Sequence, residues 1–376
     1  MTEEFASETP LPQFSLWDRT KEKRIPYSFD LELTARCNNS CRHCYINLPQ
    51  NDRNAIQKEL TLDEIGSIAD QAISLGSLWC LITGGEPLLR DDFSEIYTML
   101  KRKGLLVGLF TNACLISEEH ITLFKRYPPR DIEVTVYGAT KETYETVTRR
   151  KGSYAAFRRG LALLLEGGVK VRLKAMALRS NVHELPEISR FCRTYTKDYF
   201  RFDPLLHLRY DGNKKRNDEI MAERLLPDEV VAIEQADEER ADSLLRRCDQ
   251  LILPEMKTQQ SNHLFTCGAG GKSFAVSYDG YFRLCSSLWH PECLYNLRKG
   301  SLKEAWDHIV PKVLALRSTD RVFLEQCRRC PIMNLCLWCP AHAYLESGRM
   351  DAWCQYFCDV AHARAEALEK RAGLSQ

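Results

Sequence analysis

Three cysteines fall within eight residues in the stretch CNNSCRHCYINLPQ, at Cys37, Cys41 and Cys44, separated by three residues and then by two. Thiols this close can belong to a disulfide fragment, a zinc knuckle or an iron-sulfur loop. The chain opens on an acidic, polar stretch, MTEEFASETPLPQF, with no apolar core of a secretion signal, which predicts a cytoplasmic protein. A reducing cytosol disfavours disulfides, so the 16 cysteines point to metal binding or catalysis. Cys80, Cys114, Cys192 and Cys248 stand alone and read as small buried hydrophobes. The other twelve form two regions: the triplet, and the set Cys267, Cys285, Cys293, Cys327, Cys330, Cys336, Cys339, Cys354 and Cys358.

A four-iron cubane takes one thiolate per iron. The triplet supplies three, and no fourth cysteine lies nearby in sequence, so one iron would stay open. An open coordination position distinguishes a reactive metal centre from a closed structural one. Zinc is the competing reading, with His43 as the fourth ligand, but His43 adjoins Cys44 and is badly placed to bind the same ion.

These residues need elements to position them. Runs of β-branched and apolar residues lie at 28–35, 79–84, 105–112, 131–138, 170–178 and 199–207, with amphipathic stretches between them. Such alternation signals βα units and a parallel sheet. In LTLDEIGSIADQAISLG, Thr61 and Glu64 form a capping box that starts a helix, and Gly76 ends it. Six units predict an α/β fold built on a partial (β/α)6 TIM-like barrel, whose ligands bind at the carboxyl ends of the strands. The triplet follows the first strand and GGEP (Gly84, Gly85, Glu86, Pro87) ends the second, so both face that rim.

The balance of Lys+Arg 52 against Asp+Glu 51 gives a net charge of +1, and no stretch approaches the roughly 18 apolar residues of a membrane helix. Neither nucleic acid nor a membrane is an expected partner. Residues 211–262 are highly charged with a helical apolar period and read as a solvated bridging helix pair. From Cys267 the chain turns to cysteine, glycine and aromatic residues, the composition of a smaller lobe organised by metal.

The triplet spacing after a first strand, with GGEP at the end of the second, resembles the radical S-adenosylmethionine (radical SAM) superfamily over about residues 28–210. That resemblance implies a [4Fe-4S] cluster whose open iron is chelated by S-adenosylmethionine. One-electron reduction then releases a 5'-deoxyadenosyl radical that abstracts hydrogen from a substrate carbon. It also implies that Gly84, Gly85, Glu86 and Pro87 meet the methionine amino group, with Glu86 accepting a hydrogen bond there. Thr111, Asn112, Thr135, Tyr137 and Lys174 would line the cofactor pocket, and Arg149 or Arg150 would pair with the methionine carboxylate.

The C-terminal cysteines resemble the SPASM extension, which binds two auxiliary iron-sulfur clusters, over roughly residues 263–360. Cys267, Gly280 and Cys285 carry the likeness, together with CRRCPIMNLCLWC. One departure is that only two residues separate Cys336 from Cys339, where three are usual. By the family pattern the first auxiliary cluster takes Cys267, Cys285 and Cys339, with Cys293 a candidate fourth ligand. The second takes Cys327, Cys330, Cys336 and Cys358, with Cys354 competing for the last place. Paired zinc sites are the plainer alternative. The implied organisation is an extension over 1–27, barrel over 28–210, bridge over 211–262, SPASM lobe over 263–360 and tail over 361–376.

Most SPASM-bearing relatives modify peptides or protein side chains, so the resemblance implies a peptide or protein maturase, served by a reductant such as flavodoxin or ferredoxin. A tetrapyrrole-modifying branch of the haem pathway and a non-catalytic zinc-stabilised interaction module are the alternatives. In sulfatase-maturating relatives an aspartate follows the Gly-x4-Cys cysteine; here it is Ser286, which argues against that activity. About 27 residues precede the first strand, too few for the leader-recognition domain many relatives carry, so a leader would need a separate leader-binding protein or the barrel itself. Asp203, His207 and Tyr278 are the polar candidates for catalysis near the rim.

Overall fold

The apolar runs become strands at the expected places. They are β1 (Ser28–Thr34), β2 (Trp79–Gly84), β3 (Leu106–Thr111), β4 (Ile132–Val136), β5 (Val171–Met176) and β6 (Arg201–Asp203). Each lies parallel to its predecessor in sequence, the singly wound order of a barrel wall. The computed structural model describes residues 23–196, 200–246 and 261–371; Cys248, Tyr199 and most of the expected N-terminal extension lie outside them. The sixth strand is shorter than the run that announces it, because the backbone from Pro204 onward leaves the ladder.

Alternation fixes what faces inward. On β1, Phe29, Leu31 and Leu33 are buried in the main apolar core, whereas Asp30 lines the barrel cavity. The helix Leu62–Ser74 begins with the expected capping box between Thr61 and Glu64, and Gly76 follows it with φ +105°. A methyl group on Gly76 would stand 2.7 Å from Ile25.

The cysteine-rich region joins the same sheet instead of forming a separate lobe. β7 (Ser273–Val276) pairs in parallel with β1, Ser28 opposite Ser273 and Leu31 opposite Val276. β8 (Tyr281–Arg283) returns antiparallel to β7, and β9 (Tyr295–Asn296) continues antiparallel to β8. The spatial order is therefore β9-β8-β7-β1-β2-β3-β4-β5-β6. Gly280 occupies the β7–β8 turn at φ +86°, which explains a glycine five residues before Cys285.

The charged segment differs from its expectation. Its described residues form three helices, Lys214–Glu223, Pro227–Ala236 and Glu238–Leu245, and they are not simply solvated. Glu234 is buried between Arg240 at 2.6 Å and Arg364 at 2.7 Å, on the helix Gln355–Arg371. That helix also absorbs much of the expected tail, burying Ala361, Ala365 and Leu368. A charge run reads as solvent-exposed in sequence, but Arg224, Glu229 and Glu234 find counterions in distant elements, at Glu346, Arg179 and Arg364.

Candidate active site and cluster ligands

The cysteine loop leaves β1 through a two-residue parallel ladder that pairs Arg36 with Leu48 and Cys37 with Pro49. Its backbone is pinned from several sides. Ser40 and Arg42 donate amides to Thr148 O at 2.9 Å and Val147 O at 3.1 Å. Arg216 donates to Cys41 O at 2.8 Å, and Arg209 to Cys44 O at 3.3 Å and Asn47 O at 3.1 Å. Arg216 belongs to the stretch whose charges read as solvated and Arg209 lies just before it; sequence reasoning missed both, and Arg209 is only 2 % exposed.

Cys37, Cys41 and Cys44 all line one cavity of about 610 Å³ at the barrel mouth. Burial, followed by neighbouring Glu86, pushes the Cys37 thiol up, and burial followed by Cys37 and Cys44 does the same to Cys41. Cys37 and Cys41, crowded out of water, resist ionising, and a bound cation reverses that balance. The Asn39 amide already points at Cys37 Sγ, at 3.4 Å. Among the described residues no three His, Cys, Asp or Glu side chains converge on a single ion. Cubane thiolates bind different irons and stand farther apart than ligands of one ion.

GGEP sits against this loop. A methyl group on Gly84 would lie 2.2 Å from Thr34 O, and one on Gly85 2.2 Å from Arg36 O. The glycines thus let the turn pack on the end of β1, where Gly85 N donates to Thr34 O at 2.7 Å and Glu86 N to Arg36 O at 2.8 Å. The Glu86 carboxylate is engaged within the protein. It is fully buried and accepts from Thr111 Oγ1 at 2.8 Å, the Asn112 amide at 2.8 Å and the Leu88 amide at 3.2 Å. Burial pushes it up to about 7 against those hydrogen bonds. Its side chain therefore ties the ends of β2 and β3 together. Pro87 is buried at the start of the turn Pro87–Leu89, and Gly84 and Gly85 are the members of the motif that reach the cavity.

Thr111, Asn112, Thr135, Tyr137 and Lys174 all line this cavity. Asn112 donates from Nδ2 to Asn38 Oδ1 at 2.7 Å, which braces the cysteine loop. Lys174 pairs with Glu133 and lies 3.8 Å over the Phe110 ring. Burial lowers its pKa. Arg149 adopts a left-handed backbone (φ 53°) and is paired with Glu219 at 2.8 Å. Arg150 has a buried Nη1 with no hydrogen-bond partner, and its charge acts on Cys114, beside Asn39. Of the two arginines, Arg150 is the one with a vacant donor.

Asp203 and His207 line the cavity; Tyr278 does not. Tyr278 packs with Ala35, Ile46 and Ala55, and its hydroxyl meets Tyr210, so the structure gives it a packing role. The His207 ring lies 4.0 Å from that of His342, and burial followed by His342 pushes its pKa down to about 3. It is neutral at pH 7. The opposite wall includes Ser286, which follows Cys285, and Leu337, which lies between Cys336 and Cys339.

The remaining cysteines gather in two groups. Burial, then an N–H from His342, then Cys285 and Cys267 act on Cys339, whose thiol is pushed up to about 12. The His342 amide lies 3.4 Å from Cys339 Sγ, at the start of the helix Pro340–Ser347. Cys293 is fully buried and has Cys285 among its charged neighbours. Cys327, Cys330 and Cys336, each pushed up mainly by burial, all count Cys358 as a neighbour. With Cys358 they border a second cavity, of about 250 Å³. Cys354 also borders it but answers to Glu346, Cys336 and Cys339.

Comparison with known proteins agrees with this geometry. Residues 31–192 match the family model of the radical SAM superfamily, and residues 267–331 match SPASM, an iron-sulfur cluster-binding domain. The antilisterial bacteriocin subtilosin biosynthesis protein AlbA of Bacillus subtilis (strain 168) is 24% identical over 332 residues, 85% of this chain and 68% of that protein. The Fe-coproporphyrin III synthase of Methanosarcina barkeri (strain Fusaro / DSM 804) is 26% identical over 337 residues, 81% and 80% of the two chains. Among solved structures, Streptococcus suis SuiB bound to precursor peptide SuiA shares the fold with a TM-score of 0.66 and 15% identity, covering 95% of this chain and 83% of that one. anSMEcpe with bound AdoMet gives a TM-score of 0.64 at 16% identity, over 93% and 96%. The chain belongs to the radical SAM superfamily and carries a C-terminal SPASM domain, and with them an S-adenosylmethionine-bound [4Fe-4S] cluster and auxiliary iron-sulfur clusters.

Proposed function

We propose that this protein modifies a peptide or protein side chain, starting with hydrogen abstraction from carbon. Cys37, Cys41 and Cys44 would hold the cluster, which together with S-adenosylmethionine supplies a primary carbon radical by one-electron cleavage of the sulfonium. The protein's own part is to orient and shield. Gly84 and Gly85 present backbone to the cofactor, Asn112 and Asn39 brace the cysteine loop, and Arg150 offers its vacant donor to the methionine carboxylate.

The observation that carries a peptide over a tetrapyrrole is the charge pattern of the cavity. Every cation lining it already has a carboxylate. Lys174 is paired with Glu133, Arg201 with Glu133 at 3.2 Å and Asp203 at 3.6 Å, and Arg240 and Arg364 share Glu234. A carboxylate-bearing tetrapyrrole needs cations to receive its acidic side chains, and recruiting Lys174, Arg240 or Arg364 would strand Glu133 or Glu234, which are largely buried. A peptide, largely neutral along its backbone, carries no such demand. The likeness to AlbA and to the fold of peptide-bound SuiB supports the same reading.

The test is anaerobic reconstitution followed by incubation with S-adenosylmethionine, dithionite and either a synthetic peptide encoded by any short reading frame found beside the gene or Fe-coproporphyrin III. The expected result is 5'-deoxyadenosine together with a mass change confined to the peptide. Turnover of the porphyrin with an unaltered peptide would reverse the conclusion.

A further inference from the structure

Two basic runs that stand far apart in the sequence, Arg149-Arg150-Lys151 and Lys214-Lys215-Arg216, meet at the cysteine loop. Glu219 joins them, pairing with Arg149 at 2.8 Å and with Arg216 at 2.7 Å. Both runs reach the loop backbone: Arg216 donates to Cys41 O at 2.8 Å, and the Ser40 amide donates at 2.9 Å to O of Thr148, the residue before the first run. Cys37, Cys41 and Cys44 line the barrel cavity, whereas Ser40, Arg42, Lys151, Lys214 and Lys215 do not, so the patch lies behind the loop. Lys151, Lys214 and Lys215 are exposed, and among the described residues no acceptor or carboxylate engages their ammonium groups. The acids near them in sequence do not cancel the charge. Asp211 is held by Arg209 at 2.6 Å and Glu145 accepts the Gly152 amide at 2.8 Å, which leaves Asp218. The place of Lys214 and Lys215 is also a costly one. They stand in the first turn of the helix Lys214–Glu223, which has no acidic residue there, and the amino end of a helix disfavours cations. Arg216 in the same turn holds the loop; the two lysines hold nothing in the fold.

We propose that this patch docks an acidic protein that carries single electrons, of the flavodoxin or ferredoxin class, so that its electron enters from behind the cysteine loop. The inference rests on membership of the radical SAM superfamily, whose chemistry begins with a one-electron reduction, and not on the peptide reading. Charge complementarity selects the occupant, since exposed lysines and a helix amino end both favour carboxylates. Location narrows it further. A donor has only to come close to the loop, and here a single hydrogen bond joins Arg216 to the backbone of Cys41. A substrate must instead enter the cavity, which these lysines do not line. Electron-transfer partners meet through small, transient interfaces, so a patch of a few charges is enough to steer one.

Electron uptake is followed anaerobically by stopped flow, as the oxidation of flavodoxin hydroquinone to its semiquinone by the reconstituted holoenzyme, with S-adenosylmethionine present and no peptide. In wild type the second-order rate constant should fall about tenfold between about 50 mM and about 500 mM salt, as steering between opposite charges does. Lys214→Glu with Lys215→Glu should lower it about tenfold at the lower salt and flatten its dependence on salt. Glutamates suit a helix start, so this variant is expected to fold, and its iron content and melting temperature report that it has. Lys125→Glu with Lys170→Glu makes the same change in net charge on exposed lysines near the amino ends of β4 and β5, and should leave the rate within about twofold. A wild-type rate indifferent to salt, an unchanged rate in the patch variant, or an equal fall in both variants would overturn the proposal. Unchanged uptake together with lost binding of a labelled glutamate-rich decapeptide would overturn it too, and would give the patch to an acidic peptide. Because no substrate or product enters the rate measurement, an error about the substrate class shows separately, in the product assay with peptide and porphyrin.

Discussion

Arg283 and Glu32 meet at 2.7 Å with neither side chain exposed to solvent. Arg283 ends β8, two residues before Cys285, and Glu32 lies on β1, five before Cys37. The guanidinium also stacks 3.7 Å over Trp289 and donates to Ser286 O at 2.7 Å. One buried ion pair thus links the strand leading to the first cysteine loop with the loop bearing Ser286. Removing one partner of such a pair leaves an uncompensated buried charge, at a cost of about 3–5 kcal/mol, whereas replacing both is far milder. Arg283→Leu should therefore lower the melting temperature more than the double variant Arg283→Leu, Glu32→Gln. Thermal unfolding of the two side by side is the check, and the opposite order would contradict the role given to the pair.

The two adjacent arginines make a contrast in cofactor binding. Arg149 is engaged by Glu219, while Arg150 keeps a buried donor free. Arg150→Gln is expected to weaken S-adenosylmethionine binding about tenfold, as the loss of a hydrogen bond between charged groups does, and Arg149→Gln to change it little. Equilibrium dialysis with labelled cofactor distinguishes them; equal losses in both variants would return Arg149 to the site.

The neighbours of Cys354 and Cys358 favour Cys358 as the ligand of the second auxiliary cluster. Cys358 acts on Cys327, Cys330 and Cys336, whereas Cys354 sits against Cys336 and Cys339. Iron analysis after anaerobic reconstitution should find about twelve irons per chain in wild type if three four-iron clusters are filled. Cys358→Ser is predicted to lower that count and Cys354→Ser to preserve it. The reverse pattern would exchange their assignments.

His120 introduces a pH dependence remote from the cysteines. Its Nδ1 accepts the Ser117 amide at 3.2 Å in a capping box, and its ring packs 5.8 Å from Phe93. Burial lowers its pKa from the usual 6.5. A histidine with a depressed folded value contributes stability fully above 6.5, and that contribution is lost as the pH falls through the folded value. His120→Gln keeps an acceptor at the cap but cannot titrate. The melting temperature of wild type should fall between about pH 7.5 and about pH 5.5, and the variant should fall less. Parallel curves for the two proteins would remove His120 from the acid response.

Much of the barrel was legible because its signals are local. β-branched runs marked β1 to β5, Thr61 and Glu64 marked a helix start, and the triplet with GGEP marked the rim. What escaped were relationships between distant residues. Glu234 and Arg364 are 130 positions apart, so nothing in the charged segment itself told a buried pair from a solvated run. The clamp of Arg209 and Arg216 on the cysteine loop was hidden for the same reason. The hydrogen bonds that hold Glu86 could not be read from its motif, because two of its three donors, Thr111 and Asn112, lie about 25 residues further on.

The parallel pairing of β7 with β1 bears on how this protein can be taken apart. Cutting the chain before residue 273 would strip β1 of a neighbour and bare a row of unmet amides and carbonyls, the kind of border along which chains aggregate. The barrel half should accordingly be insoluble when expressed by itself. Grafting a cysteine-rich half from a relative would succeed only where its first strand keeps the pairing of Ser28 with Ser273.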